Sequence, residues 1–194
     1  MTTNLKKGLV VFCVLLSACS GHTVKEDVSE IKKGIPFLQV DALVEKDFDN
    51  AVYLMQSGNY ELAVTILKSV VDREQRLPAP YTNLAIAYNK LDEVKLAEGN
   101  FIKALKLDIG HAEANNGLGM IYRKAGKFKA AKTAYENAID ANPSYLPAKK
   151  NLGILCDLYM HDFDCAYEQF SAYFEARPND KKISIWIADV KRRL

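Results

Sequence analysis

Cys156 and Cys165 are the pair in this 194-residue chain whose type and spacing are best suited to covalent chemistry. They flank the turn expected between two helices, and Cys156 lies on the helix face that packs against the second helix. In an exported protein such a pair can form a disulfide if the two Cα atoms lie within roughly 7 Å of each other. The alternative is two buried thiols that act as small apolar side chains. The sequence leaves both alternatives open.

Neither a metal or cofactor site nor a catalytic site is predicted. There is no CxxC pair, and His22, His111 and His161 lie in three different segments. The chain contains no GxSxG, no HExxH, no phosphate loop and no paired-carboxylate motif. Gly117 and Gly119 fall inside a helical pattern and lack the preceding strand of a dinucleotide-binding fingerprint. We therefore expect a protein without a cofactor and without enzymatic activity.

Cys19 is the third cysteine of interest, because it follows a short apolar segment with a basic start. The apolar run at 8–16 is too short to span a bilayer and is typical of a secretory signal core. The sequence LSAC at 16–19 resembles the lipobox of bacterial lipoproteins. This resemblance implies that 1–18 is a cleaved signal peptide and that Cys19 is acylated. In that family a serine after the cysteine, as in this chain, is associated with the outer membrane. A plain secretory signal and an uncleaved anchor are the alternatives.

Charge excludes one class of partner. The chain has 26 basic and 24 acidic residues, and removal of 1–18 would take away two lysines and no acidic residue. The mature chain would then carry no net formal charge. Nucleic-acid binding needs a concentrated basic face, so we expect no nucleic-acid partner.

A spacer is predicted after the lipidation residue. Residues 20–36 are polar, mixed in charge and interrupted by Gly34 and Pro36. We interpret 19–38 as a lipidated N-terminus and tether that lets the rest of the chain stand away from the membrane. A disordered spacer without a specific role is the alternative.

The segment 112–145 organises the remainder of the chain. Large apolar residues recur along it at helical spacing: Leu118, Tyr122, Phe128, Tyr135 and Ile139. Gly126 separates two such runs, and Pro143 ends the second because proline cannot continue a helix. The small residues Gly119 and Ala131 mark a close approach of the two helices. The segment is therefore predicted to be a helix, a tight turn, a helix and a stop.

The same pattern recurs at a period of 34 residues. Two places in the period hold small residues and a third holds a large apolar residue: Ala51, Ala85, Gly119 and Gly153; Ala63, Ala97, Ala131 and Ala166; and Leu67, Phe101, Tyr135 and Phe170. The last repeat fits once a single inserted residue is allowed between Cys156 and Phe163. An unrelated helical bundle that merely favours alanine would not repeat this arrangement of small and large residues in all four registers.

This spacing resembles the tetratricopeptide repeat. The resemblance implies an all-α fold, a right-handed α-solenoid of four helix–turn–helix repeats within a domain at 39–194. The repeats are placed at 44–77, 78–111, 112–145 and 146–180. Apolar residues at helical spacing in 181–194 predict a capping helix that covers the last repeat.

In that family the first helices of successive repeats line a concave groove that binds peptides or partner helices. The resemblance assigns the groove to these residues: Phe48, Val52, Met55, Thr82, Ile86, Asn89, Lys90, Asn116, Met120, Arg123, Lys124, Lys150 and Ile154. The ninth place of each repeat gives an apolar floor, formed by Val52, Ile86, Met120 and Ile154. The alternative is that part of this row packs between adjacent first helices. The groove does not match the clamp of Lys, Asn and Arg by which some family members hold a C-terminal carboxylate.

The function expected from these features is that of a non-catalytic scaffold or adaptor. It would bind a partner peptide or helix and would be held by its lipid anchor at the periplasmic face of a bacterial outer membrane. A pilotin-like assembly factor for a type IV pilus or secretion channel is one alternative. A self-associating structural lipoprotein, and hence a homo-oligomer, is the other.

Overall fold

The structure, a computed structural model, describes residues 40–194. The predicted signal peptide at 1–18, the lipidation residue Cys19 and the tether at 19–38 lie outside the described residues.

Residues 40–194 form nine helices and contain no strand. The helices are α1 (Ala42–Gln56), α2 (Tyr60–Arg73), α3 (Pro78–Lys90), α4 (Val94–Leu107), α5 (Ala112–Lys124), α6 (Phe128–Ala141), α7 (Leu146–Leu155), α8 (Phe163–Ala176) and α9 (Lys181–Lys191). A π-helical turn at Cys156–Met160 continues α7. The first eight helices form four helical hairpins, and each hairpin packs against the next. The prediction of an all-α solenoid of four repeats and a C-terminal capping helix is confirmed.

Aspartate side chains begin three of the helices. The Leu43 N–H donates to Oδ1 of Asp41 at 2.7 Å, and Asp41 therefore caps α1. Asp162 and Asp180 cap α8 and α9 in the same way. Such caps satisfy backbone donors that the first turn of a helix leaves without a partner.

Each turn within a hairpin contains one residue with a left-handed backbone. These residues are Gly58, Asp92, Gly126 and His161, with φ of 79°, 59°, 73° and 54°. The first three are spaced by the repeat period, whereas His161 comes one residue later than the period requires. A left-handed residue ends a helix by allowing later backbone N–H groups to donate back into its last turn.

The inserted residue of the last repeat is accommodated in the π-helical turn. In the third repeat the Lys127 N–H donates to the carbonyl of Tyr122, five residues earlier, at 2.8 Å. In the last repeat the Asp162 N–H donates to the carbonyl of Cys156, six residues earlier, at 2.9 Å. The wider loop of the π-turn therefore absorbs one residue without disturbing either helix.

One large side chain from each second helix forms the core of its repeat. These side chains are Leu67, Phe101, Tyr135 and Phe170, and each is at most 1% exposed. A Cβ atom placed on Gly119 would lie 2.4 Å from the Tyr135 ring, and one on Gly153 would lie 2.5 Å from the Phe170 ring. The rings therefore lie directly against the backbone of the first helix. The sequence predicts a close approach of the two helices at Gly119 and Ala131. In the structure the group that lies against Gly119 is the Tyr135 ring.

Phe101 connects one repeat to the next. A Cβ atom on Gly117 of α5 would lie 2.2 Å from the Phe101 ring of α4. The ring therefore occupies the space beside a glycine in the following repeat. This contact continues the core along the array, as expected of a solenoid in which each repeat touches its neighbours.

Helix α9 covers the end of the array. Ile183 and Val190 are buried, and the Trp186 ring lies 5.4 Å from the Phe170 ring between centroids. Trp186 is half-buried, and the Lys182 ammonium group lies 4.9 Å from the centre of its ring. Within residues 40–194, none of the helices has the length and apolarity needed to cross a bilayer.

Gly119→Ala should destabilise the protein, because the added methyl group meets the Tyr135 ring. Overpacking of this kind costs about 1–3 kcal/mol. The matched control is Gly99→Ala in α4, where nothing lies within 4 Å of the added Cβ atom. There alanine should stabilise the helix by about 0.5–1 kcal/mol. Urea denaturation measures both changes, and effects of the same sign would contradict the packing described.

Candidate functional site: the inner face of the repeat array

The first helices of the repeats form a continuous row. Helix α3 contacts both α1 and α5, and α5 contacts α7. The second helices make no comparable contacts with one another within residues 40–194. Because the first helices are closer together, the array curves towards them. Their exposed side is therefore the inner face, in which the sequence places the groove.

The predicted groove residues differ in their exposure. Lys90, Met120 and Lys124 are exposed. Eight others are half-buried, namely Phe48, Val52, Met55, Ile86, Asn89, Arg123, Lys150 and Ile154. Thr82 and Asn116 are buried, with exposed fractions of only 2% and 7%. The predicted set therefore contains both surface residues and residues that hold the helices together.

Thr82 and Asn116 act within the fold. The Thr82 hydroxyl donates to the carbonyl of Pro78 in its own helix at 3.1 Å. The Asn151 side-chain amide donates to Oδ1 of Asn116 at 2.8 Å and so links α7 to α5. Both side chains are occupied by internal hydrogen bonds and offer little surface to a partner.

The residues of the predicted apolar floor differ in their packing. Ile86 and Ile154 pack against the core clusters of the array, as the alternative interpretation requires. Met120 is open, with 38% of its surface exposed. It lies in a depression of about 270 Å³ that we call the Met120 depression, lined by Asn89, Met120, Arg123, Lys124 and Tyr159.

Tyr159 is a site residue that the sequence analysis missed. It belongs to the π-helical turn, and 43% of its surface is exposed. The Arg123 guanidinium lies 5.9 Å from the centre of the Tyr159 ring. The centre of the Phe128 ring, in α6 of the third repeat, lies 5.0 Å from the centre of the Tyr159 ring. The inserted residue in the last repeat was the available signal, because an extra residue in the turn brings an additional side chain towards the groove.

The Met120 depression carries positive charge. Arg123, which lines the depression, forms no ion pair within residues 40–194. Lys124 is paired with Asp92 at 3.0 Å, but both side chains are well exposed, and such surface pairs contribute little. The surface near Met120 therefore combines an apolar contact with cations that remain available to a partner.

The Tyr135 hydroxyl is not a candidate acid or base. Burial raises the pKa of Tyr135 to about 12, and the nearby positive charge of Arg123 acts in the opposite direction. The phenol therefore stays neutral at physiological pH, and its ring serves the core of the third repeat.

The structure joins Cys156 and Cys165 in a disulfide, with a Cα–Cα distance of 5.9 Å. The bond links the π-helical turn to α8 and so fixes the turn that carries Tyr159. A carboxylate oxygen of Asp162 lies within 4.8 Å of both sulfur atoms. Because the sulfur atoms are bonded to each other, they do not offer the thiolates that a metal ion would require.

Similarity to known proteins agrees with the repeat pattern described above. Residues 112–145 match the tetratricopeptide repeat family model. The chain has the tetratricopeptide-repeat fold. PilF of Pseudomonas aeruginosa superposes with a TM-score of 0.70 at 22% identity, over 77% of this chain and 68% of that one. MamA of Desulfovibrio magneticus RS-1 gives a TM-score of 0.66 at 22% identity, over 80% of this chain and 87% of that one.

A further similar structure contains a bound ligand. The first tetratricopeptide domain of Spaghetti (RPAP3), bound to the HSP90 peptide SRMEEVD, gives a TM-score of 0.56 at 22% identity. The match covers 62% of this chain and 96% of that domain. All three are likenesses of fold.

Arg193→Gln should loosen the turn that carries Tyr159. Arg193 pairs with the buried Asp157 carboxylate at 2.8 Å and also contacts Asp189. Loss of the cation leaves Asp157 without its charged partner, at a cost of about 1–3 kcal/mol. Arg192→Gln is the control, since Arg192 is largely exposed and should change stability by less than about 0.5 kcal/mol. Thermal melts that shift equally for both variants would contradict this assignment.

Proposed function

We propose that the protein is a non-catalytic adaptor that binds a peptide or helix of a partner protein along the inner face of its repeats. The observation that carries the proposal is the Met120 depression. An open methionine side chain at the centre of the array lies between an aromatic ring and cations that remain available. Hydrophobic anchors flanked by polar contacts are what grooves of this kind use to bind helices and extended peptides.

The rigidity of the face supports the proposal. The depression lies where the second, third and last repeats meet, and the internal hydrogen bond between Asn151 and Asn116 holds two of the first helices together. The disulfide fixes the turn that carries Tyr159. A preorganised surface loses less conformational entropy on binding than a mobile one.

The proposal extends to the bacterial envelope. The sequence at 16–19 supports attachment through acylated Cys19, and Ser20 supports the outer membrane, at whose periplasmic face we place the protein. Two or more acyl chains are enough for stable anchoring without a membrane-spanning helix. An adaptor held there would bring its partner to the membrane during assembly of an envelope complex.

A photo-activatable side chain at Met120 should yield a discrete adduct with the partner in intact cells that produce the full chain. The control carries the same group at Lys129, which is exposed on the second helix α6. We expect an adduct from position 120 alone, and a lower yield when Tyr159→Ala is added. Gel mobility and mass spectrometry measure the yield and name the partner.

Two outcomes would contradict the adaptor proposal. Adducts at twice the mass of the chain would favour self-association through the groove. Absence of an adduct from position 120 under conditions in which Lys129 yields one would remove the inner face as the binding surface.

A further inference from the structure

A second cavity lies at the end of the array, away from the Met120 depression. It has a volume of about 700 Å³ and lies between the start of α7, the end of α8 and the loop that leads to α9. Its lining includes Leu146, Pro147, Lys150, Tyr173, Arg177 and Asp180. We call it the α7–α9 cavity.

The cavity coincides with a departure from the repeat pattern. The place of Tyr173 in the last repeat corresponds to Ala138, Ala104 and Val70 in the preceding repeats. Those three side chains are fully buried. Tyr173 is only half-buried, and it lines the cavity.

The acidic group of the cavity is already occupied. Oδ1 of Asp180 accepts hydrogen bonds from the N–H groups of Lys182 and Ile183, at 3.1 and 3.2 Å. Oδ2 of Asp180 accepts a hydrogen bond from the Tyr173 hydroxyl at 3.2 Å. This carboxylate therefore has its partners within the fold, where it caps α9 and holds the Tyr173 ring.

The cations of the cavity remain available. Lys150 and Arg177 form no ion pair within the part of the chain that the structure describes. The Lys150 ammonium group lies 5.6 Å from the centre of the Tyr173 ring, which places it at the wall of the cavity. The lining thus combines two unpaired cations with the apolar surfaces of Leu146 and Pro147.

We propose that the α7–α9 cavity binds the carboxylate of a glutamate or aspartate in an acidic segment of the partner protein. This inference rests on the proposed function, because Lys150 also belongs to the row of first-helix residues that faces the groove. Lys150 and Arg177 donate charge-assisted hydrogen bonds to the carboxylate, and the apolar wall contacts the methylene groups of the acidic side chain. Two cations are too few for a nucleic-acid backbone, and the mature chain predicted above has no net charge.

Fluorescence anisotropy with the purified full chain tests the cavity. The probe is a short labelled peptide of alternating glutamate and leucine with an amidated C-terminus, and its counterpart has glutamine in place of glutamate. Lys150→Met and Arg177→Met should each weaken binding of the acidic peptide by about tenfold, as expected for loss of one charge-assisted hydrogen bond. Lys149→Met is the matched control, because it removes the same charge from the adjacent position of α7, outside the cavity lining.

The outcomes separate the cavity from the groove. Equal loss of affinity in all three variants, equal binding of the glutamine peptide, or no binding of the acidic peptide would each overturn the cavity proposal. A partner adduct from Met120 that persists in Lys150→Met and Arg177→Met cells would then leave the adaptor function standing. Thermal melts of the variants establish that each remains folded.

Discussion

The structure depends on one contact that recurs along the chain, a large side chain of a second helix lying against a small residue of a first helix. Tyr135 against Gly119 and Phe170 against Gly153 bring ring and backbone so close that no β-carbon fits between them. Burial of such a ring removes a large apolar area from water, at about 25 cal/mol for each Å². The energy of the fold is therefore distributed along the array, repeat by repeat, and Met120 on the inner face stays open.

This division explains which parts of the molecule the sequence predicts well. The period of small and large residues specifies the hairpins, and Gly126 and Pro143 mark a turn and a helix end by their own backbone properties. These features are local or repeat at a fixed spacing, so that one chain suffices to detect them. The family resemblance, applied to the ninth place of the repeat, also predicts that Met120 belongs to the groove, and in the structure this side chain is 38% exposed.

The details of the site were less accessible for a physical reason. Thr82 and Asn116 occupy groove positions in the register, yet internal hydrogen bonds turn them into part of the fold. Whether such a side chain faces a neighbour or a partner depends on the distance between helices, which the period does not contain. Tyr159 was missed because the inserted residue shows that the turn is longer, but not which side chain the extra length presents.

The two surfaces proposed for binding share an origin in departures from the repeat pattern. One inserted residue produces the π-helical turn that presents Tyr159 to the Met120 depression. A tyrosine at the place of a buried alanine lines the α7–α9 cavity. The second and third repeats supply the other lining residues of the Met120 depression, and Tyr159 of the last repeat completes it. When most residues of a structure follow one repeat pattern, the residues that depart from it are the candidates for a function. Both departures lie in the last repeat, where the disulfide and the Asp157–Arg193 pair hold the altered turn in place. These two bonds therefore restrain the turn that carries Tyr159.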